Sequence, residues 1–176
     1  MSLNIKRART TVIFYPDMSL AQDVEAAERT LAEAEATLEV AKGSTRTLAS
    51  KAVSTAQDAV VAAQKALDDT RAAANATALD IVLEAVSHKR MAEAEENHPV
   101  REDDEDDAMF SVNYDTFLPE LLPESVVEVK EHVSGERVSV TADEWREVCD
   151  EITDGQWRTL TLAILSLNRG SKKAPF

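Results

Sequence analysis

The stretch LAQDVEAAERTLAEAEATLEVAK, residues 20–42, and its successor TRTLASKAVSTAQDAVVAAQKALDDTRAAAN, residues 45–75, decide how this chain folds. In the first, apolar residues recur at Leu20, Val24, Ala27, Leu31, Ala34, Leu38 and Ala41, in steps of four and three. In the second, Ala49, Val53, Ala56, Val60, Ala63, Leu67, Thr70 and Ala74 repeat those steps. Such spacing lays one apolar seam along one face of a helix. Large residues fill mostly one seam position and alanine the other, so two antiparallel helices can approach closely. Lys42-Gly43-Ser44 separates them. Gly43 is placed to take the left-handed conformation that ends a helix. Ser19, and then Ser44 or Thr45, are placed to cap the two starts. The expectation is a long antiparallel, alanine-rich helical hairpin, a coiled coil over 19–75. Its arms are about 35–45 Å long at the helical rise per residue. A hairpin this narrow has no room to enclose a substrate. It offers a surface.

Outward from the hairpin the periodicity changes. Residues 10–15, Thr-Thr-Val-Ile-Phe-Tyr, are β-branched and aromatic and end at Pro16-Asp17, which predicts a strand. Residues 77–86, Thr-Ala-Leu-Asp-Ile-Val-Leu-Glu-Ala-Val, predict a second. The hairpin therefore reads as an insertion between two pairing strands of a small body made of 10–16 and 77–170. Ser87 opens a helix that His98-Pro99 stops. Asp115 is placed to cap a short helix through Phe117, Leu118, Leu121 and Leu122, with Pro119 in its first turn. Two extended pieces, 126–133 and 137–140, flank Ser134-Gly135. Thr141 and Glu144 form a capping box before Trp145, Val148 and Ile152. Asp154-Gly155 starts the last helix, whose stripe of Trp157, Leu160, Ile164 and Leu167 marks it as the centre of the core. The tail 171–176 reads as loose. The fold class is α+β, mainly α.

Charge narrows the function. Formal net charge is −14, which argues against binding a phosphate backbone. Residues 93–107 hold nine acids against one base, Arg101, and so carry −8 of that total. The stretch 99–111 reads as a solvated acidic loop, with a docking strip for a basic partner and a divalent-cation site as sharper alternatives. It lacks the Asp-x-Asp-x-Asp-Gly spacing of a calcium loop. Lys6, Arg7 and Arg9 form a small basic patch before the first strand. The single cysteine, Cys149, rules out an internal disulfide framework and reads as a buried, inert thiol. No apolar run is long enough to span a bilayer, and the N-terminus has no signal-peptide core. An intracellular protein is expected.

His88, His98 and His132 sit in no metal-ligand spacing. No glycine-rich phosphate loop, nucleophile elbow or paired His-Glu motif is present in the sequence. The expectation is no catalytic residue, no cofactor, no metal and no enzyme activity. Partner contacts are expected on the seams and the last helix, at Leu31, Leu38, Val60, Leu67, Trp157, Leu160, Ile164 and Leu167.

The C-terminal half carries an order of short pieces: Asn97-His98-Pro99, the acidic spacer, Asn113-Tyr-Asp-Thr-Phe-Leu-Pro119, Ile152-Thr-Asp-Gly-Gln-Trp157 and Leu165-Ser-Leu-Asn-Arg-Gly170. This order resembles the tail assembly chaperones of long-tailed (siphovirus-type) phages and prophages of actinobacteria. The resemblance covers residues 79–170, and the Thr-Asp-Gly-Gln-Trp to Leu-Asn-Arg-Gly stretch is its most specific part. The chain departs from the pattern in having Val100 after His98-Pro99 and a single proline in Phe117-Leu-Pro119. The resemblance implies a non-enzymatic, homo-oligomeric protein of the bacterial host cytoplasm. Such a protein binds the tape measure protein, keeps its apolar helices soluble until tail tube subunits polymerise around it, and is absent from the finished tail. The tail tube protein is a further partner under this resemblance; nucleic acid and membrane are not. The resemblance also draws attention to Lys172-Lys173 as a site where an A-rich codon run would permit frameshifting. Two other readings compete: a structural virion component such as a head–tail connector or minor tail protein, and an acidic DNA mimic. More than half of the charge lies in one short segment, which speaks against the mimic.

Overall fold

The computed structural model describes residues 6–43 and 49–170. The expected caps at Ser44 or Thr45, the 171–176 tail and Lys172-Lys173 lie outside them. The chain divides into two compact units, Tyr15–Ala78 and the remainder on either side of it. Its class is α+β, mainly α.

The inserted unit is a helical hairpin of α1, Met18–Lys42, and α2, Ala49–Thr77. The seam positions are those the spacing predicts. Leu20, Val24, Ala27, Leu31, Ala34, Leu38 and Ala41 are half-buried, as are Val53, Val60 and Thr70, and Ala56, Ala63, Leu67 and Ala74 are buried. Away from the seam, most positions of both helices are exposed. The Arg71 guanidinium reaches the Glu28 carboxylate at 2.7 Å, tying the helices side by side. The Tyr15 hydroxyl donates to Asn75 Oδ1 at 3.3 Å, tying the two ends of the unit together.

Two caps differ from expectation. Asp17, not Ser19, caps α1, because its carboxylate accepts both the backbone N–H of Ser19 at 2.9 Å and the Ser19 hydroxyl at 2.6 Å. Gly43 stays right-handed, at φ −72°, because its N–H continues the helical ladder to Glu39 O.

The body is a three-stranded antiparallel sheet covered by helices. β1, Arg9–Phe14, pairs with β2, Leu79–Glu84, from Arg9 opposite Glu84 to Phe14 opposite Leu79. β3, Val126–Glu131, pairs with the other edge of β2, with an irregularity at Val82/Leu83. Period-two alternation gives each strand an inner face: Val12 and Phe14, Ile81 and Leu83, and Val129 join the core. Five helices complete the body: α3, His88–Asn97; α4, Glu105–Phe110; α5, Tyr114–Ser125; α6, Ala142–Glu151; and α7, Asp154–Arg169. α6 and α7 both open with capping boxes, Thr141 with Glu144 and Thr153 with Gln156. The second sets Thr153 as the cap of α7, which starts at Asp154 as the sequence predicts.

Three features of the body depart from the sequence reading. The helix through Phe117 begins at Tyr114 with Asn113 as its cap, so Pro119 and Pro123 lie inside α5 rather than in a first turn. Both prolines remove a ladder donor, and burial holds the helix in place: Phe117, Leu118, Leu121 and Leu122 are completely enclosed. That makes α5, against which α3, α4, α6, α7 and β3 pack, the central helix, with α7 covering it and the sheet. The segment 137–140 is no full strand. It touches β3 at one bridge, Lys130 opposite Arg137, and at the bond from Val138 N–H to Val129 O. The third departure, the acidic segment, belongs to the candidate site.

Candidate functional site

The four sequence pieces that carry the family resemblance meet in the body. The backbone N–H of Asn113 donates to His98 O at 2.8 Å. The Trp157 indole N–H donates to Tyr114 O at 3.0 Å, and the Tyr114 hydroxyl donates to Asp154 Oδ1 at 3.1 Å. Tyr114 stacks on Phe110 and meets Trp157 edge to face. At the end of α7, Arg169 donates to Phe110 O at 2.7 Å and pairs with Glu95 of α3. Asn168 Oδ1 accepts the N–H of Val86, just after β2, at 2.9 Å. Asn97-His98-Pro99, Asn113–Pro119, the start of α7 and its Asn168-Arg169-Gly170 end therefore form one hydrogen-bonded frame around α5. Desolvation within this frame, with Asp154 facing the phenol, pushes the Tyr114 pKa well above its ordinary range and keeps the hydroxyl a donor.

The acidic segment is folded, not merely solvated. Asp104 caps α4, and Asp107 is fully enclosed. The Asp107 carboxylate accepts the Arg101 backbone N–H at 2.8 Å, two guanidinium N–H groups of Arg101 at 2.8 and 2.9 Å, and the Tyr114 N–H at 2.8 Å. Arg101 also pairs with Asp104 and Asp115. Like charges would extend the segment were it not for this one base. Its guanidinium gathers three carboxylates, and one of them becomes a buried anchor below α5. Arg101, followed by the other donors, holds the Asp107 carboxyl far below the usual carboxylate range. The clue in the sequence is Arg101 itself, the lone base among nine acids.

Farther along α5 a groove of about 470 Å³ is lined by His98, Thr116, Pro119, Glu120, Pro123 and Arg146 among others. His98 Nδ1 lies 2.7 Å from Thr116 Oγ1, and Nε2 lies 2.7 Å from Glu120 Oε2. Arg90 of α3 spans Glu120 and Glu124; it draws the Glu120 carboxyl below its ordinary range, and its own pKa rises. A hydroxyl, an imidazole and a carboxylate in line have the makings of a proton relay. The N–H of Thr116 is already taken by Asn113 Oδ1 at 3.3 Å and that of Phe117 by Asn113 O at 3.1 Å. Asn113 thus caps α5, and His98, which caps the end of α3, joins that helix to α5 through Thr116 and Glu120, so the arrangement acts as a staple between helices.

The expected contact residues separate into two sets. Leu31, Leu38 and Val60 are half-buried on the hairpin seam, and Trp157 and Leu167 are half-buried on α7, so each keeps some accessible surface. Leu67, Leu160 and Ile164 are corrections: they are 3%, 0% and 0% exposed, Leu67 inside the hairpin seam and the other two in the body core. A stripe on α7 is apolar because α5 and the sheet lie on it, which leaves Leu160 and Ile164 unavailable to a partner. The apolar surface that the spacing did not single out includes Val40 and Val61 on the arm and Ile13, Val100, Met109, Val127, Val133 and Leu162 on the body, all exposed. Cys149 is buried, and burial pushes its thiol up to about 11. Among the described residues no cluster of His, Cys, Asp or Glu is arranged to hold a metal ion, and no helix is long and apolar enough to cross a membrane. No family model, no curated protein and no solved structure matches the chain.

Proposed function

We propose that this chain is a tail assembly chaperone of the actinobacterial long-tailed phage and prophage type, a non-enzymatic protein that binds the tape measure protein in the host cytoplasm. The observation that carries the reading is the frame around α5. Three of the separated pieces on which the resemblance rests hydrogen-bond to one another, through Asn113–His98, Trp157–Tyr114 and Tyr114–Asp154, and the fourth reaches them through the spacer, where Arg169 donates to Phe110 O.

The arm supports the same reading. α1 encloses none of its seam residues. Val40 and Val61 add exposed apolar surface, at 77% and 69%. Such a helix presents an apolar strip to another amphipathic helix, while the acidic remainder resists nonspecific association. Tape measure proteins are long and helical, the class of partner such a strip suits.

Co-expression with the tape measure protein of the phage or prophage that encodes the chain tests the proposal. The expected result is that the tape measure protein becomes soluble and co-purifies with this chain. A tape measure protein equally insoluble with and without this chain overturns it. Detection of the chain in purified virions by mass spectrometry would instead make it a structural component.

A further inference from the structure

The sheet has two edges, and the chain treats them differently. At the β3 edge, the outward C=O of Val129 accepts the N–H of Val138 at 2.9 Å, and the outward N–H of Glu131 donates to Glu136 O at 2.9 Å. That edge is closed by the following turn. At the β1 edge no strand is paired among the described residues. β1 is six regular residues, Arg-Thr-Thr-Val-Ile-Phe, without proline or bulge, and its Ile13 is 45% exposed. Unprotected edges of this kind are templates for another strand.

The backbone phase identifies which groups are open. Ala85 N–H donates to Ala8 O at 2.9 Å, and Ala8 lies opposite Ala85 in the register of β1 and β2. Hydrogen-bonded pairs alternate along an antiparallel ladder. Thr10, Val12 and Phe14 therefore point their N–H and C=O groups at β2, and Arg9, Thr11 and Ile13 point theirs away from it. This open set is symmetric about Thr11. Antiparallel pairing with an identical strand, Thr11 opposite Thr11, joins Arg9 to Ile13 and Ile13 to Arg9, which satisfies every open group. It also keeps the core faces of both sheets on one side and sets Thr beside Thr at the centre, a favourable cross-strand pair. Arg9 falls beside Ile13 and not beside its own copy.

Residues 1–16 contain Lys6, Arg7 and Arg9 and no acid, so they carry +3 while the rest of the chain carries −17. Two chains of this charge repel over most of their surfaces. At the β1 edge the facing charges are basic instead, so pairing there has a smaller like-charge repulsion of its own to overcome, one that added salt screens.

We infer that two copies of this chain associate through their β1 edges about a twofold axis at Thr11, giving one continuous six-stranded sheet. The inference rests on the sheet alone and stands or falls apart from the tape measure reading.

Sedimentation of the full chain over a range of concentrations tests it. A species of twice 19.3 kDa is expected to form. Thr11→Pro deletes a donor that faces away from β2, a position an edge strand tolerates. It should return the chain to one copy with unchanged circular dichroism. Thr11→Cys should cross-link to itself on mild oxidation, since hydrogen-bonded partners lie about 5.5 Å apart at Cα, and Thr37→Cys on the exposed face of α1 should not. Amide exchange at Arg9, Thr11 and Ile13 should slow as concentration rises, a readout that needs no variant. A chain that stays single at all concentrations overturns the inference, as does a dimer indifferent to Thr11→Pro and to oxidation of Thr11→Cys. A single chain whose Thr11 amide is protected by added polyglutamate would assign the edge to an acidic partner instead.

Discussion

In α5 of the body, Phe117, Leu118, Leu121 and Leu122 are wholly enclosed, whereas in α1 of the arm seven seam positions are only half-buried and none is enclosed. The body is held by a few large side chains with every contact made. The arm is held by many small contacts repeated along two long helices. The first arrangement is all-or-none, because removing one large side chain leaves a hole its neighbours cannot fill. The second is distributed, and each position contributes little. A region whose apolar strip is only half covered has contacts left to offer; a region fully enclosed has none.

Phe117→Ala strikes the enclosed region hardest. It should cost about 3–5 kcal/mol, enough to lower the body's melting transition by about 10 °C. Helical circular dichroism from the arm should survive the loss of the body's aromatic signal. Simultaneous loss of both signals at the same temperature would erase the distinction between the regions.

Asp107→Asn comes next, at about 2–3 kcal/mol, because the amide lacks the charge that pairs with Arg101 and turns a donor toward N–H groups that need a second acceptor oxygen. Its signature is pH dependence. The folded carboxyl is depressed below the usual range, so the unfolded chain takes up this proton at the higher pH. The stabilisation is complete above about pH 5 and drains away as pH falls below about 4. Asp17, Glu120, Glu128 and Glu144 are depressed as well. The test is therefore the gap between wild type and Asp107→Asn in urea midpoint, which should narrow from pH 7 to pH 3. A constant gap would mean that Asp107 is not the charged anchor of the acidic segment.

Leu67→Ala probes the arm at its deepest position and should cost about 2 kcal/mol, read as earlier loss of helix with the body's aromatic signal unmoved. Thr161→Val should raise the body's stability by about 1 kcal/mol. Thr161 is buried, and its hydroxyl has no hydrogen-bond partner among the described residues, so removing it relieves an unmet polar group. Arg71→Ala, which breaks the exposed pair to Glu28, should change stability by less than about 0.5 kcal/mol. A larger effect would mean that the arm depends on one bridge rather than on its seam.

The arm was legible because its burial is a function of spacing alone: positions four and three apart fall on one face, and Leu31, Leu38 and Val60 are found where counting puts them. Strand pairing and the Thr141–Glu144 capping box were legible for the same reason, as short-range geometry, whereas the matching Thr153–Gln156 box was passed over. The acidic segment was not. Summed charge says that nine carboxylates repel, but not that Arg101 selects Asp107 to go inside. The stripe on α7 was seen but misassigned, because an apolar face looks the same whether α5 or another protein covers it. In α5, Pro119 suggested a first turn, and only the enclosure of the leucines and Phe117 shows why the helix runs through both Pro119 and Pro123.

The bond between Tyr15 and Asn75 bears on the order of folding. Phe14 and Leu79, which face each other in the sheet, are separated by 64 residues. Closing a flexible loop of that length costs about 4 kcal/mol of chain entropy, before any constant term. Helices propagate from local contacts, and a hairpin of two such helices draws its own ends together without help from the sheet. Once it has zipped, the contour that the sheet must close shrinks from 64 residues to the few around Tyr15 and Asn75. The arm is thus a topological shortcut, and the strand pairing that defines the body becomes a nearly local event. Exchanging residues 15–78 for a tight turn would preserve that shortcut by other means, whereas exchanging them for an equally long unstructured linker would slow the formation of the sheet.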